Sequence, residues 1–179
     1  MDFFGRKFFT QNQFKKSLNI GELAGNRIKK DFQEFKKNKP LGGIGGPINE
    51  DLKNWEITIP GPVDSPFEGG KFKIKIEIPD DYPNNPPKCR FLTKVFHPNI
   101  NFKEGNICAN FLKKAEGATD LYASWTNKKT ICDVIVLLYG LLKKPNQDSP
   151  LNTNAHDLFE KDKNRYEQLA KSFTNKFAK

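Results

Sequence analysis

With 179 residues, including sixteen Phe, four Tyr and two Trp, the chain has the length of one domain and enough apolar material to bury a core without staples. Three cysteines at 89, 108 and 132 form no CxxC pair, and two histidines add no neighbouring ligand; this argues against a zinc site and suits a reducing compartment better than a disulfide framework. Net charge is +9, no window approaches a membrane-spanning run, and the opening MDFFGRKFFT is too polar for a secretory signal.

The first forty residues hold ten Lys/Arg against four Asp/Glu, which reads as a solvated face or as a docking surface for an acidic partner. Residues 1–22 form a Phe-rich basic extension. Phe3, Phe4, Phe8, Phe9 and Phe14 alternate loosely with Arg6, Lys7, Lys15 and Lys16. Such a stretch is too short and polar to fold alone; it packs on its own domain, anchors in a partner groove or lies on a membrane surface.

The domain is expected over 23–179 and opens with a helix. Ala24, Ile28, Phe32 and Phe35 share one stripe, with Arg27, Lys30 and Glu34 beside it, until Pro40 and the glycines after it end the pattern. Gly42-Gly43-Ile44-Gly45-Gly46 faintly suggests a GxxG loop for a nucleic-acid backbone, but glycines before Pro47 also make a flexible turn. Trp55, Ile57 and Ile59 alternate with polar residues, as do Phe72, Ile74, Ile76 and Ile78 with Lys71, Lys73, Lys75 and Glu77. A period of two means one buried and one solvated face, as in an antiparallel sheet. Cys89 and Phe91 make a further short strand, which Thr93 extends at most, with Cys89 turned to the core. Between strands, Asp80 to Pro87 holds three prolines and reads as a stiff crossing.

Helices return after Trp125. Thr130 and Asp133 read as a capping box for a buried helix carrying Ile131, Val134, Ile135, Leu138, Leu141 and Leu142, stopped by Pro145. Tyr166, Leu169, Ala170, Phe173 and Phe177 mark a final amphipathic helix. The fold class is α+β: an antiparallel meander sheet with an N-terminal helix and C-terminal helices on one side.

Cys108 follows the rigid turn His97-Pro98-Asn99. A thiol is a nucleophile when it ionises at an accessible polar site, and an Asn nearby can donate to a developing oxyanion. Taken in order, Tyr82-Pro83-Asn84-Asn85-Pro86-Pro87, His97-Pro98-Asn99, Cys108, Trp125, and Pro145-Asn146 with Pro150-Leu151 make the chain resemble a ubiquitin-conjugating enzyme from about residue 23 to 179. The resemblance implies that Cys108 accepts ubiquitin, or a ubiquitin-like modifier, as a thioester from an activating enzyme. It then passes the modifier to a substrate lysine, usually with a ligase. No cofactor and no metal are implied at this step, since the thioester already carries the activation that ATP supplied earlier in the pathway.

The resemblance also implies roles for other residues. Asn99 would stabilise the oxyanion or hold the loop, His97 would be structural, and Asp148 and Ser149 would orient the acceptor lysine. Arg27 and Lys30 on the first helix, Tyr82, Pro83 and Asn84 in the crossing, and Thr126, Asn127 and Lys128 after the Trp would meet partners. Several departures stand out. The spacing from Asn99 to Cys108 is one residue longer than usual, and an insertion covers about 113–124. Ser149 stands where Asp is common, Asn84 where Phe is, and Ile44 where some members use Ser on the back face. The core spacing ranks ubiquitin first as modifier, the Phe-rich extension a Nedd/Rub-type modifier second, and Asn54-Trp55-Glu56 with Asp80 to Cys89 a Sumo-type third. A cytoplasmic or nuclear location is expected, with no membrane partner. Two rivals from other classes are a hydrolase using Cys108 and His97, which Pro98 disfavours by stiffening the base, and a basic nucleic-acid-binding module, for which no strand shows base-stacking aromatics.

Overall fold

A computed structural model describes residues 22–49, 51–107, 112, 125–147 and 150–179. Of the predicted extension only Glu22, the first residue of the first helix, is described, and the insertion lies outside the described residues. The elements run α1 (Glu22–Asn38), β1 (Ile44–Ile48), β2 (Asp51–Pro60), β3 (Lys71–Glu77), β4 (Lys88–Phe91), α2 (Ile131–Lys143), α3 (Thr153–Lys161) and α4 (Lys163–Phe177). The four strands lie in the order β1-β2-β3-β4, each antiparallel to the next, which is the expected meander. No helix among the described residues is long and apolar enough to cross a membrane.

The alternation in β2 and β3 works as read. Trp55, Ile57, Ile59, Phe72, Ile74 and Ile76 are fully buried, and register pairs Trp55 with Ile76 and Ile57 with Ile74. Cys89 packs against the same core opposite Ile76, and β4 ends at Phe91, so Thr93 lies beyond it. Helix α1 sits on the buried face. Phe32 and Phe35 meet the Trp55 ring edge-on at 5.4 and 6.0 Å, and the indole N–H donates to Leu52 O at 2.7 Å.

Of the glycine run that suggested a nucleic-acid loop, Gly42 and Gly43 end a short turn and Ile44 to Gly46 belong to β1, which pairs with β2 from Ile44 to Ile48. Gly46 has φ +150°, and a Cβ there would stand 2.9 Å from the Phe32 ring. The missing side chain lets α1 approach the sheet edge, a packing role that period-two reasoning does not reveal.

Helix α2 carries the expected capping box. The Thr130 side chain accepts from Asp133 N–H, and the Asp133 carboxylate accepts from Thr130 N–H at 2.7 Å. The C-terminal region holds two helices rather than one. Asp162 closes α3 by donating its N–H to Leu158 O, and caps α4 by accepting from Arg165 N–H at 3.1 Å. One Asp thus turns the chain with no Gly or Pro to mark the break.

One buried carboxylate ties three elements together. Asp31 on α1 has no exposed surface. It accepts from Arg27 Nε at 2.8 Å, from the Tyr82 hydroxyl, and from Ile131 N–H at 3.2 Å. It therefore bonds α1 to the proline-rich crossing and to the first turn of α2, where the helix dipole favours an anion. Removing it would leave a guanidinium, a phenol and an amide short of an acceptor. Asp31→Ala is expected to cost about 3 kcal/mol of stability in urea unfolding, and Arg27→Ala, whose side chain is partly solvated, less.

Candidate functional site

The turn His97-Pro98-Asn99 is held from inside. His97 and Asn99 are both fully buried. His97 Nδ1 accepts the Asn99 backbone N–H at 3.1 Å, and Nε2 lies 3.0 Å from Leu141 O, in the last turn of α2. An amide N–H can only donate and a carbonyl can only accept, so the ring is the neutral tautomer with its proton on Nε2. Burial depresses its pKa to about 3, against the opposing pull of the Leu141 bond. A ring so placed and so weakly basic does not serve as a general base, which removes the geometry that a Cys108–His97 hydrolase would need.

Asn99 clasps the chain beyond α2. Its side-chain Nδ2 donates to Asn146 O at 2.6 Å, and its Oδ1 accepts from Asn146 N–H at 2.8 Å. Pro98 O accepts from Leu151 N–H at 2.8 Å and from Asn152 N–H at 2.9 Å. Asn152 in turn caps α3 by accepting from Ala155 N–H at 3.2 Å. The turn therefore grips the segment on both sides of positions 148 and 149. Cys108, Asp148 and Ser149 themselves lie outside the described residues.

After the turn, the chain forms a small hairpin. Ile100 bridges Ile107, and Asn101 N–H donates to Asn106 O at 2.8 Å. The Asn101 side chain accepts from the N–H groups of Lys103 and Glu104, both at 2.9 Å, closing the tip as an Asx turn. Gly105, at φ +74°, donates to Asn101 O, and its own carbonyl accepts from Phe91 N–H at 2.9 Å. A Cβ on Gly105 would stand 1.8 Å from Phe91 O, so only glycine lets the hairpin lie against β4. Ile107, its last residue, directly precedes Cys108. The sequence reading missed this support; the pattern Asn101-x-x-Glu104-Gly105 is the signal that a turn-based reading could have used.

The other two cysteines are poor thiolates. Burial, helped by Glu77, pushes the Cys89 thiol well above its ordinary range. Burial, helped by Glu34, Asp31 and Asp133, pushes Cys132 up to about 12.

The residues expected to meet partners cluster at one end of the molecule. Arg27 reaches the loop after Trp125, donating to Asn127 O at 2.7 Å and Lys129 O at 2.5 Å, while Trp125 Nε1 donates to Pro83 O at 2.9 Å. Asn84, Thr126, Asn127, Lys128 and Lys30 are exposed there, and Pro83 is half-buried. One of the expected contacts needs correction. Tyr82 is 1 % exposed, donates to Asp31 and packs against Trp125 at 5.9 Å, so it supports this surface from below. Arg27 is half-buried, gives its guanidinium to Asp31 and to carbonyls of the exposed loop, and stacks over the Tyr82 ring at 5.5 Å. A charge on the helical stripe looks solvated in sequence; the acceptors that hold it come from residues about a hundred positions away.

Residues 27–174 match the family model described as ubiquitin-conjugating enzyme. Among solved structures, the chain is similar to the E2 domain of a Toxoplasma gondii ubiquitin conjugating enzyme, at 32 % identity and TM-score 0.74, over 86 % of this chain and 98 % of that one. It is also similar to a Plasmodium yoelii protein whose structure was assigned to the ubiquitin conjugating enzymes, at 28 % identity and TM-score 0.77, over 88 % and 97 % of the two chains.

The neutral His97 makes stability depend on pH with a definite sign. Its folded pKa of about 3 lies below the ordinary 6.5. Between these values the unfolded chain takes up a proton that the folded chain refuses, so stability is lost as pH falls. From pH 7 to pH 5 this group alone is expected to remove about 2 kcal/mol. His97→Gln keeps a donor for Leu141 O but cannot titrate, so urea unfolding at the two pH values should show wild type losing about 2 kcal/mol more than the variant.

Proposed function

Because this chain belongs to the ubiquitin-conjugating enzyme family and is therefore a thioester-forming transferase, we propose that Cys108 carries the thioester and that ubiquitin is the modifier. The observation that carries the assignment to Cys108 is the clasp at His97–Asn99. It joins, at one buried turn, the hairpin that leads to Cys108 and the segment that bears Asp148 and Ser149. The suppressed thiols of Cys89 and Cys132 support it by contrast.

In the first step the Cys108 thiolate attacks the carbonyl of the modifier's thioester on the activating enzyme. A tetrahedral intermediate forms, and the activating enzyme's thiolate leaves. In the second step a neutral lysine amine attacks the new thioester, the Cys108 thiolate departs, and the amine proton passes to solvent or to a carboxylate. Asp148 is the carboxylate proposed to receive or orient that amine. Ser149 can orient it by hydrogen bonding, although a hydroxyl supplies no charge. His97 takes no proton in either step. The Asn99 amide serves the brace on Asn146. The exposed group of Lys30, Asn84 and Thr126 to Lys128 is the surface proposed for the activating enzyme and the ligase. Asn84 calls for a ligase pocket with polar partners rather than one shaped for an aromatic ring. Free thiols of this kind fit the cytoplasm or nucleus.

The Phe-rich basic extension over 1–22 favours a second reading, in which the modifier is of the Nedd/Rub type and the extension docks on the activating enzyme. A charging assay separates the two. The protein is mixed with ATP, each cognate activating enzyme, and ubiquitin, Nedd-type or Sumo-type modifier in turn, then run on a non-reducing gel. A thiol-sensitive shift is expected with ubiquitin; a shift only with another modifier would reassign the branch. Cys108→Ala should abolish the shift, and Cys89→Ala and Cys132→Ala should retain it.

Asn99→Ala tests the second role of that residue. If its amide also donates to the oxyanion, discharge to free lysine should fall ~100-fold and charging much less. Equal loss in both steps, with lowered Tm, would assign Asn99 to the brace alone.

A further inference from the structure

Four half-buried phenylalanines form a cluster that the transfer chemistry does not explain. Phe173 on α4 stacks on Phe96 with ring centroids 5.5 Å apart and planes 16° from parallel. It meets Phe102 edge-on at 5.2 Å and stacks on Phe177 at 5.7 Å. Lys94 Nζ lies 5.8 Å from the Phe102 ring and 5.5 Å from that of Phe177. Phe96 immediately precedes His97, and Phe102 sits at the tip of the hairpin that ends at Ile107. A single helical side chain thus touches the chain on both sides of the clasped turn.

We propose that Phe173 is a positioning residue for Cys108: it pins the hairpin tip through Phe102 while Phe96 fixes the ring against the root of the same turn. This rests on the reading of Cys108 as the thioester-bearing residue. The hairpin is internally stiff, with the Ile100–Ile107 bridge and the Asx turn closing it at both ends. It is held at its root by the His97–Asn99 clasp and along one side by Gly105 against β4. Phe102 adds a hold at the tip to those at the root and along β4. Aromatic pairs hold such geometry in preferred offset or edge-on arrangements, and the lysine head over two rings adds a cation–π contact on the solvent side. Cys108 is the next residue after that hairpin, so the hold at Phe102 bears on the segment that leads to the thioester-bearing residue. Displacements of about 1 Å are enough to cost up to two orders of magnitude in rate.

The test uses the full chain and the charging reaction under conditions that separate kcat from the KM for the loaded activating enzyme. Phe173→Ala should lower kcat for charging on the order of tenfold, with KM within about twofold of wild type, at a temperature where circular dichroism shows the variant folded. Phe173→Tyr, which keeps the ring, should restore the rate. Phe102→Ala removes the same contact from the hairpin side and leaves Phe173 on Phe96; it should show the same loss and serves if Phe173→Ala does not fold. Charging at the wild-type rate by either alanine variant, with only Tm lowered, would overturn the proposal and leave the cluster as packing. Charging by Cys108→Ala would overturn the premise as well, so the two failures are distinguishable.

Discussion

A buried, neutral imidazole is the constraint on which the site depends. His97 has no exposed surface, and both of its nitrogens are used, one by the next turn of its own chain and one by the end of α2. Burying a polar ring is costly unless it is hydrogen-bonded, and here each bond also fixes a direction. The Nε2 bond sets the turn against α2, and the Nδ1 bond orients the Asn99 amide. Asn99 and Pro98 then bind the segment from 146 to 152. Loss of the imidazole would release two stretches of chain at once.

Helix α2 carries this order to the opposite end of the molecule. Its first turn gives the Ile131 N–H to Asp31, and its last turn gives the Leu141 carbonyl to His97. These are the ends at which a helix offers orphan donors and orphan acceptors, so a carboxylate and a ring N–H each complement the local dipole. The two bonded residues stand ten apart, roughly 15 Å along the axis. One apolar helix therefore separates the Asp31 hub, under the surface proposed for partners, from the turn that holds the segments proposed for the chemistry. The spacing between docking and chemistry is set by a rigid element, and loops serve at either end.

The sheet and the two main helices were legible because burial imposes its period on the side chains. Period two in Phe72 to Ile78, the 3.6 stripe through Ile28, Phe32 and Phe35, and the Thr130–Asp133 box all say locally what the tertiary structure needs. Strand β1 was not legible, since Gly45 answers to the backbone of β2 at Glu56 and Gly46 to the Phe32 ring on α1, rather than to any pattern of their own. The break between α3 and α4 rests on a single Asp, which in sequence looks like one more charge on a solvated face. At the site, the sequence marked His-Pro-Asn as a rigid turn, while the full burial of His97 follows from its contact with Leu141, 44 positions away. The burial of Tyr82 and the internal use of Arg27 were hidden, since their partners lie far away in the chain.

The chemistry explains why the site is made of braces and not of a proton relay. Thioester exchange between thiols needs an ionised sulfur and a carbonyl in line, and the incoming thioester is already activated. A strong base close to the sulfur would also activate water and waste the thioester by hydrolysis. A histidine locked as a neutral donor, with its pKa pushed down to about 3 by burial, gives the structural benefit of an imidazole without that hazard. Burial likewise holds the thiols of Cys89 and Cys132 in the protonated form. What remains for the fold to supply is position, and the clasp at Asn99, the glycine contact at Gly105 and the aromatic contact at Phe102 each fix a different point of the hairpin that delivers Cys108.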